Sequence, residues 1–173
     1  MLPFDNYYRD QHHLSPIERE RVNYDHPHSL DVDRFAADLA WLREGRQLAA
    51  PVYDFAAHTR SGDVHVVEPS PVVVVDGILL FVFDEICALL DLKVFVDVSD
   101  DVRTERRIAR DVAERGRTRD FALRQIERNV RPMYGEFVQP SADRADVVVD
   151  GTADVRRSAR LVLERLPSGV AAR

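Results

Sequence analysis

Residues 71–77 read Pro71-Val72-Val73-Val74-Val75-Asp76-Gly77. An unbroken β-branched run closed by an acid and a glycine predicts a strand buried on both faces, as in a parallel sheet. Leu92 to Val98 and Ala145 to Val149 have the same cast. Helical periodicity fills the intervals, at about 84–90, 100–115, 120–138 and 153–166. Upstream, Leu2-Pro3-Phe4 reads as the end of another strand. Val32, Phe35, Ala36, Leu39 and Leu42 share one face of a helix predicted over Asp31 to Glu44, with Asp31 as its cap and Gly45 as its stop. Strands alternating with helices predict an α/β fold with a doubly wound, mostly parallel sheet.

Between these elements Pro51 to Phe55 and Val64 to Val67 predict a small antiparallel ribbon, with Thr59-Arg60-Ser61-Gly62-Asp63 as its turn. The polar stretch from Asn6 to Leu30 is long for a plain connection, and such segments commonly carry function. The organisation expected is one domain over residues 1–166 and a frayed tail over 167–173.

Composition narrows the function classes. The 173 residues are 45% hydrophobic, enough for a buried core. The net charge of −6 argues against nucleic acid as a partner. No apolar run is long enough for a membrane span, and Met1 to Asp5 lack a signal-peptide pattern, so the cytoplasm is the expected location. The single cysteine, Cys87, lies in an apolar run and reads as a small buried hydrophobe. Every basic residue except Lys93 is arginine, whose planar fork matches phosphate oxygens.

Open parallel sheets gather ligands at the C-terminal ends of their strands. Asp5, Asp76 and Asp97 stand at those ends. Arg103, Arg106, Arg107 and Arg110 fall on one helical face, and Arg115-Gly116-Arg117 follow. Such a stripe suits a phosphate-clamping lid; it also suits a solvated face paired with Asp101, Glu105, Asp111 and Glu114. Tyr7, Tyr8, His12, His13, Tyr24, Asp25, His26 and His28 form an aromatic and polar cluster. The histidine spacings follow no zinc pattern, and rings with a few polar groups suit a flat base or a sugar.

Taken in order, these motifs resemble the uridine kinase (uridine–cytidine kinase) family of P-loop kinases, related to phosphoribulokinase. The matching stretches are Asp5-Asn6-Tyr7-Tyr8, Asn23-Tyr24-Asp25-His26-Pro27, Pro51-Val52-Tyr53-Asp54-Phe55 with His58 and Arg60, and Asp76-Gly77-Ile78-Leu79. They continue through Phe95-Val96-Asp97, Arg106 to Asp111, Glu114-Arg115-Gly116-Arg117, Val130 to Tyr134 and Ala145 to Val148. The resemblance implies transfer of the γ-phosphate of ATP (or GTP) to the 5′-hydroxyl of uridine or cytidine, with Mg2+. Asp5 would then be the base and, with Asp76, a metal ligand. Asp25 would hold the ribose, with Arg107 near it. Tyr53 and His58 would recognise the pyrimidine, with Tyr8 and Gln125 lining the same pocket. Arg110, Arg115 and Arg117 would neutralise phosphates, which is most of what phosphoryl transfer asks of a protein. A nucleoside substrate and a homo-oligomer are the partners implied.

The sequence departs from the family at two points. No two of its glycines are spaced as the glycine-rich phosphate loop requires, and Lys93 lies within a predicted strand. The expectation is that a strand and loop of roughly 30 to 40 residues are missing from the N-terminal end, the size of one strand–loop–helix unit. Asp76 also stands where the family has glutamate. Two alternatives stay open: a non-catalytic nucleoside-binding protein, and a related kinase acting on a phosphoribulokinase- or pantothenate-kinase-type substrate.

Overall fold

The computed structural model describes residues 1–167. All of the expected tail beyond Pro167 lies outside them. The chain is divided into two compact units, Met1–Leu90 and a second that begins at Asp91.

In the first unit, β1 (Leu2–Pro3) pairs in parallel with β4 (Val75–Asp76), Leu2 facing Val75 and Pro3 facing Asp76. Chain then turns at once into a 3-10 segment, Phe4–Tyr7. The stretch expected as a plain loop is largely built structure. It contains α1 (Pro16–Arg19), fixed by a capping box in which Ser15 and Glu18 hold each other, and a 3-10 turn over Pro27–Ser29. The helix α2 (Val32–Arg43) buries Val32, Phe35, Leu39 and Leu42, the face read from its spacing. Asp31 does not cap it: its carboxylate pairs instead with Arg60 at 2.9 Å. Gly45 ends it in the left-handed conformation, φ +76°. A short α3 (Asp84–Cys87) replaces the longer helix expected to Leu90. Cys87 is half-buried, not sealed in the core, and its Sγ lies 3.7 Å from the Phe81 carbonyl oxygen.

The core of this unit is aromatic. Phe4 packs on Phe35 with ring centroids 4.5 Å apart and meets Phe83 edge-on at 6.0 Å, while Tyr7 meets Phe35 at 4.9 Å. Gly77 explains the Asp-Gly ending of the valine run. A Cβ there would lie 2.7 Å from the Cβ of buried Phe4, so the strand end packs closely only without a side chain.

The antiparallel ribbon is β2 (Leu48–Asp54) with β3 (Thr59–Val67). Its turn is Phe55–His58, not the expected 59–63 segment, which is strand. Asp54 decides this, because its Oδ1 accepts the backbone N–H groups of Ala56 (2.8 Å) and Ala57 (3.0 Å). His58 then takes the left-handed region at φ 53°.

In the second unit, β5 (Val94–Asp97) pairs in parallel with β6 (Val147–Asp150). Lys93 sits just before β5 with its ammonium 3.0 Å from Asp146. The helix α4 (Asp100–Arg115) has the bounds read from its pattern. One long helix was expected next; the structure has a helical run with mixed hydrogen bonding. It passes through α5 (Arg119–Gln125), a π turn (Ile126–Val130), α6 (Arg131–Met133), a second π turn (Tyr134–Val138) and α7 (Gln139–Ser141). Pro132 and Pro140 supply the reason, since neither has an N–H for the ordinary ladder. Last comes α8 (Val155–Leu163), capped by Asp154, which accepts from the Arg157 backbone N–H at 3.2 Å. Ile108, Ala122 and Ile126 form the core between α4 and the helical run.

Two parallel pairs and one small antiparallel ribbon thus make an α/β fold. The strands are not buried on both faces as their composition suggests. Val72 and Val74 precede β4 exposed, and in β6 Val149 is buried while Val148 is 56% exposed. Each pair has only two strands, so burial alternates along it.

Candidate active site

Parallel pairing of β1 with β4 brings Asp5 and Asp76 to one edge. Asp76 is the last residue of β4, opposite Pro3, and Asp5 follows two residues after Pro3 in the 3-10 segment. Asp5 is half-buried and Asp76 exposed. Two carboxylates there are hard oxygen donors of the kind magnesium takes, and among the described residues no third histidine, cysteine or acid completes a metal-holding group with them.

Close by in sequence, and within the same unit, the aromatic residues gather. Tyr8 meets Tyr24 edge-on at 5.7 Å and Tyr53 at 5.1 Å. Tyr24 stacks on His58, centroids 4.6 Å apart and planes 13° apart. Tyr53 also meets Phe55 at 5.3 Å. Asp25 follows Tyr24 in a turn whose backbone N–H bonds to the Asn23 side chain at 3.2 Å. So Tyr8, Tyr53 and His58 are brought together, with Asp25 beside them in sequence.

The hydroxyls of Tyr24 and Tyr53 are buried close to each other, and among the described residues neither meets another polar group in ordinary hydrogen-bond geometry. Burial pushes both phenols above their usual range. With only each other as polar neighbours, the two hydroxyls keep hydrogen-bonding capacity that a polar ligand can take up. Tyr7, by contrast, donates to Asp38 Oδ2 at 2.9 Å and belongs to the core.

Three anchors hold this wall, and sequence reading named none of them for that task. Arg60 donates from Nε to the Tyr8 carbonyl oxygen (3.0 Å) and pairs with Asp31. Arg19 donates to the carbonyl oxygens of Gln11 (2.9 Å), Leu14 (3.0 Å) and Ala57 (3.1 Å), tying α1 to the hairpin turn. Buried Thr59 donates to Asp10 Oδ1 at 2.6 Å and lies 2.8 Å from His12 Nδ1. That hydroxyl, with His12, holds the Asp10 carboxyl down to about 2. Partners separated by tens of residues leave no local pattern to read.

The second unit holds the arginines, and there the expected stripe divides. Arg103 donates to the Val98 carbonyl oxygen (2.7 Å) and lies over the Tyr134 ring at 3.6 Å. Arg106 donates to the Gly151 carbonyl oxygen at 3.0 Å. Both serve the fold. Arg107, Arg110, Arg115 and Arg117 instead surround Asp111. Gln125 lies on α5, its Oε1 accepting from Asn129 Nδ2 at 3.0 Å.

The sequence matches the Phosphoribulokinase / Uridine kinase family over residues 2–158. The chain belongs to this family. It is 46% identical over 149 residues to a uridine kinase of Lactococcus lactis subsp. cremoris (strain MG1363), covering 86% of this chain and 72% of that one. It is 45% identical over 156 residues to a uridine kinase of Streptococcus uberis, covering 90% and 74%. Among solved structures, a candidate fructose transport system kinase from Silicibacter sp. TM1040 superposes with a TM-score of 0.66 at 20% identity, covering 86% of this chain and 73% of that one. That likeness supports the fold of the family member. No helix among the described residues is long and apolar enough to cross a membrane.

Proposed function

We propose that this member of the family binds a pyrimidine nucleoside in its first unit and serves the phosphorylation of that nucleoside's 5′-hydroxyl by ATP or GTP. The observation that carries the reading is the aromatic group of Tyr8, Tyr24, Tyr53 and His58 with its two adjacent buried hydroxyls. A pyrimidine has flat faces for the rings and polar edge atoms for the hydroxyls.

In this reading Tyr53 and His58 recognise the base, with Tyr8 lining it, and Asp25 takes the ribose hydroxyls. Asp5 accepts the 5′-hydroxyl proton as that oxygen attacks the γ-phosphorus and the bond to the β-phosphate oxygen breaks. Asp5 and Asp76 would hold a magnesium ion, which supplies charge neutralisation when bound. Arg110, Arg115 and Arg117 meet the phosphates. The glycine-rich loop that cradles ATP in such kinases is not among these 173 residues, so nucleoside capture and phosphoryl transfer are separable questions.

Transfer is tested by following labelled γ-phosphate from ATP to uridine. Label on uridine that disappears in Asp5→Asn, with uridine binding kept, supports the base assignment; full transfer by that variant overturns it. The binding-protein reading rests on the absent loop beside the aromatic group; Lys93, the only lysine, pairs with Asp146 just before β5. Uridine bound without transfer would assign it.

A further inference from the structure

The residue at the centre of the arginine group is an acid. Asp111 is completely buried, on the last turn of α4. Its two carboxylate oxygens divide the guanidinium groups evenly. Oδ1 faces Arg115 Nη1 at 3.2 Å and Arg110 Nε at 4.0 Å; Oδ2 faces Arg117 Nη1 at 3.3 Å and Arg107 Nε at 3.9 Å. The nearer pair are hydrogen bonds, and the farther pair are ion contacts at the limit of range.

The main chain of the same residue organises the helix end. Its carbonyl oxygen accepts the N–H of Gly116 and, at 3.1 Å, that of Arg117. Gly116, at φ +63°, turns the chain back so that Arg117 returns to the residue the helix has just passed. Arg117 is held on its other side by the Phe121 ring, 5.7 Å from its guanidinium carbon.

Guanidinium groups so close repel one another, and burial together with Arg110 lowers the pKa of Arg115 from its ordinary value. A fully buried carboxylate is costly unless paired. Each side therefore requires the other, and the arginines are drawn to one point. We propose that Asp111 is the positioning residue of the phosphate-binding arginines. It touches no substrate, being enclosed; it fixes where Arg107, Arg110, Arg115 and Arg117 present their forks. The proposal rests on the phosphate role given above to Arg110, Arg115 and Arg117.

The sign of one measurement separates positioning from plain electrostatics. Asp111→Asn removes a negative charge from the group. If charge alone governed the site, an anion would bind more tightly. If Asp111 positions the forks, the anion binds more weakly. Inorganic pyrophosphate is titrated calorimetrically into the full chain at low salt, with circular dichroism on each variant. Asp111→Asn is expected to bind it at least tenfold more weakly than wild type.

Because that variant loses a buried charge partner, Arg117→Lys is measured beside it. It keeps the charge and loses the fork that reaches Asp111. At least fivefold weaker binding is expected, while Arg106→Lys, which lies off this group, binds as wild type does. Equal or tighter binding by a folded Asp111→Asn, or unchanged binding by Arg117→Lys, overturns the proposal alone. Absence of pyrophosphate binding by wild type overturns it together with the phosphate role of the arginines.

Discussion

Tyr24 lies flat against His58, with 4.6 Å between ring centroids and 13° between planes. The pair joins two distant parts of the chain, the loop before α2 and the turn of the ribbon. His58 can present its ring there because Asp54 sets the turn and the backbone enters the left-handed region. The hydroxyl of the same Tyr24 is buried beside that of Tyr53, so the residue gives its ring to the fold and holds its polar end within the aromatic cluster.

Tyr24→Phe separates these two contributions. The stack survives and a poorly paired buried hydroxyl goes, so the stability of the unliganded chain is expected to change by less than about 1 kcal/mol. Uridine affinity is expected to fall about tenfold, or roughly 1.4 kcal/mol. Thermal unfolding with and without uridine reads both. Uridine affinity equal to wild type would remove Tyr24 from the site.

Arg60 anchors Tyr8 through its carbonyl oxygen and locks to Asp31 with both side chains mostly covered. Arg60→Ala is expected to cost about 2 kcal/mol in urea unfolding, the scale of hydrogen bonds to charged groups. Arg60→Lys should recover little, since one ammonium cannot span both partners. Recovery to wild-type stability would show that charge alone matters there.

The Asp10–Thr59 contact sets a pH window. The folded carboxyl titrates at about 2, below the roughly 3.9 of an unfolded aspartate. A depressed value means that the contact stabilises the chain fully above pH ~4 and is lost as pH falls toward 2. Asp10 is nearly half exposed, so the contribution is a few tenths to about 1 kcal/mol. Urea unfolding of wild type and Asp10→Asn between pH 2 and 6 should converge at the acid end. A constant difference across that range would contradict the assignment.

Gly77→Ala tests the packing at the end of β4. The added carbon would lie 2.7 Å from Phe4 Cβ and 3.2 Å from Phe4 Cδ1, and Phe4 is fully enclosed. A loss of about 1–3 kcal/mol is expected by thermal unfolding, the usual cost of overpacking. A neutral substitution would mean that the strand end shifts freely.

Much of this architecture is legible in the sequence where the signal is local. The charged periodicity of α4 gives its bounds, and the apolar face of α2 gives its buried residues. The valine run identifies a strand in a parallel pair but not its extent, because hydrophobicity cannot tell how many strands will flank it. The ribbon turn was misplaced because Ser61-Gly62-Asp63 has turn composition, whereas a single carboxylate at Asp54 fixes the turn earlier. Asp111 reads as one of several acids able to pair along a helix; its contact with Arg117 depends on Gly116 reversing the chain, and its burial leaves no local signal. The arginine stripe locates the helix that carries these side chains but not the division between Arg103 and Arg106, which hold the fold, and the group around Asp111.

Equilibrium titration of the full chain with uridine, followed by tyrosine fluorescence and checked by calorimetry, tests the central claim most directly. Saturable one-to-one binding is expected, retained in Asp5→Asn and lost in Tyr53→Ala and Asp25→Ala variants that unfold cooperatively. No saturable binding by the wild-type chain, or binding indifferent to Tyr53 and Asp25, would contradict the claim that the aromatic cluster of the first unit is a nucleoside site.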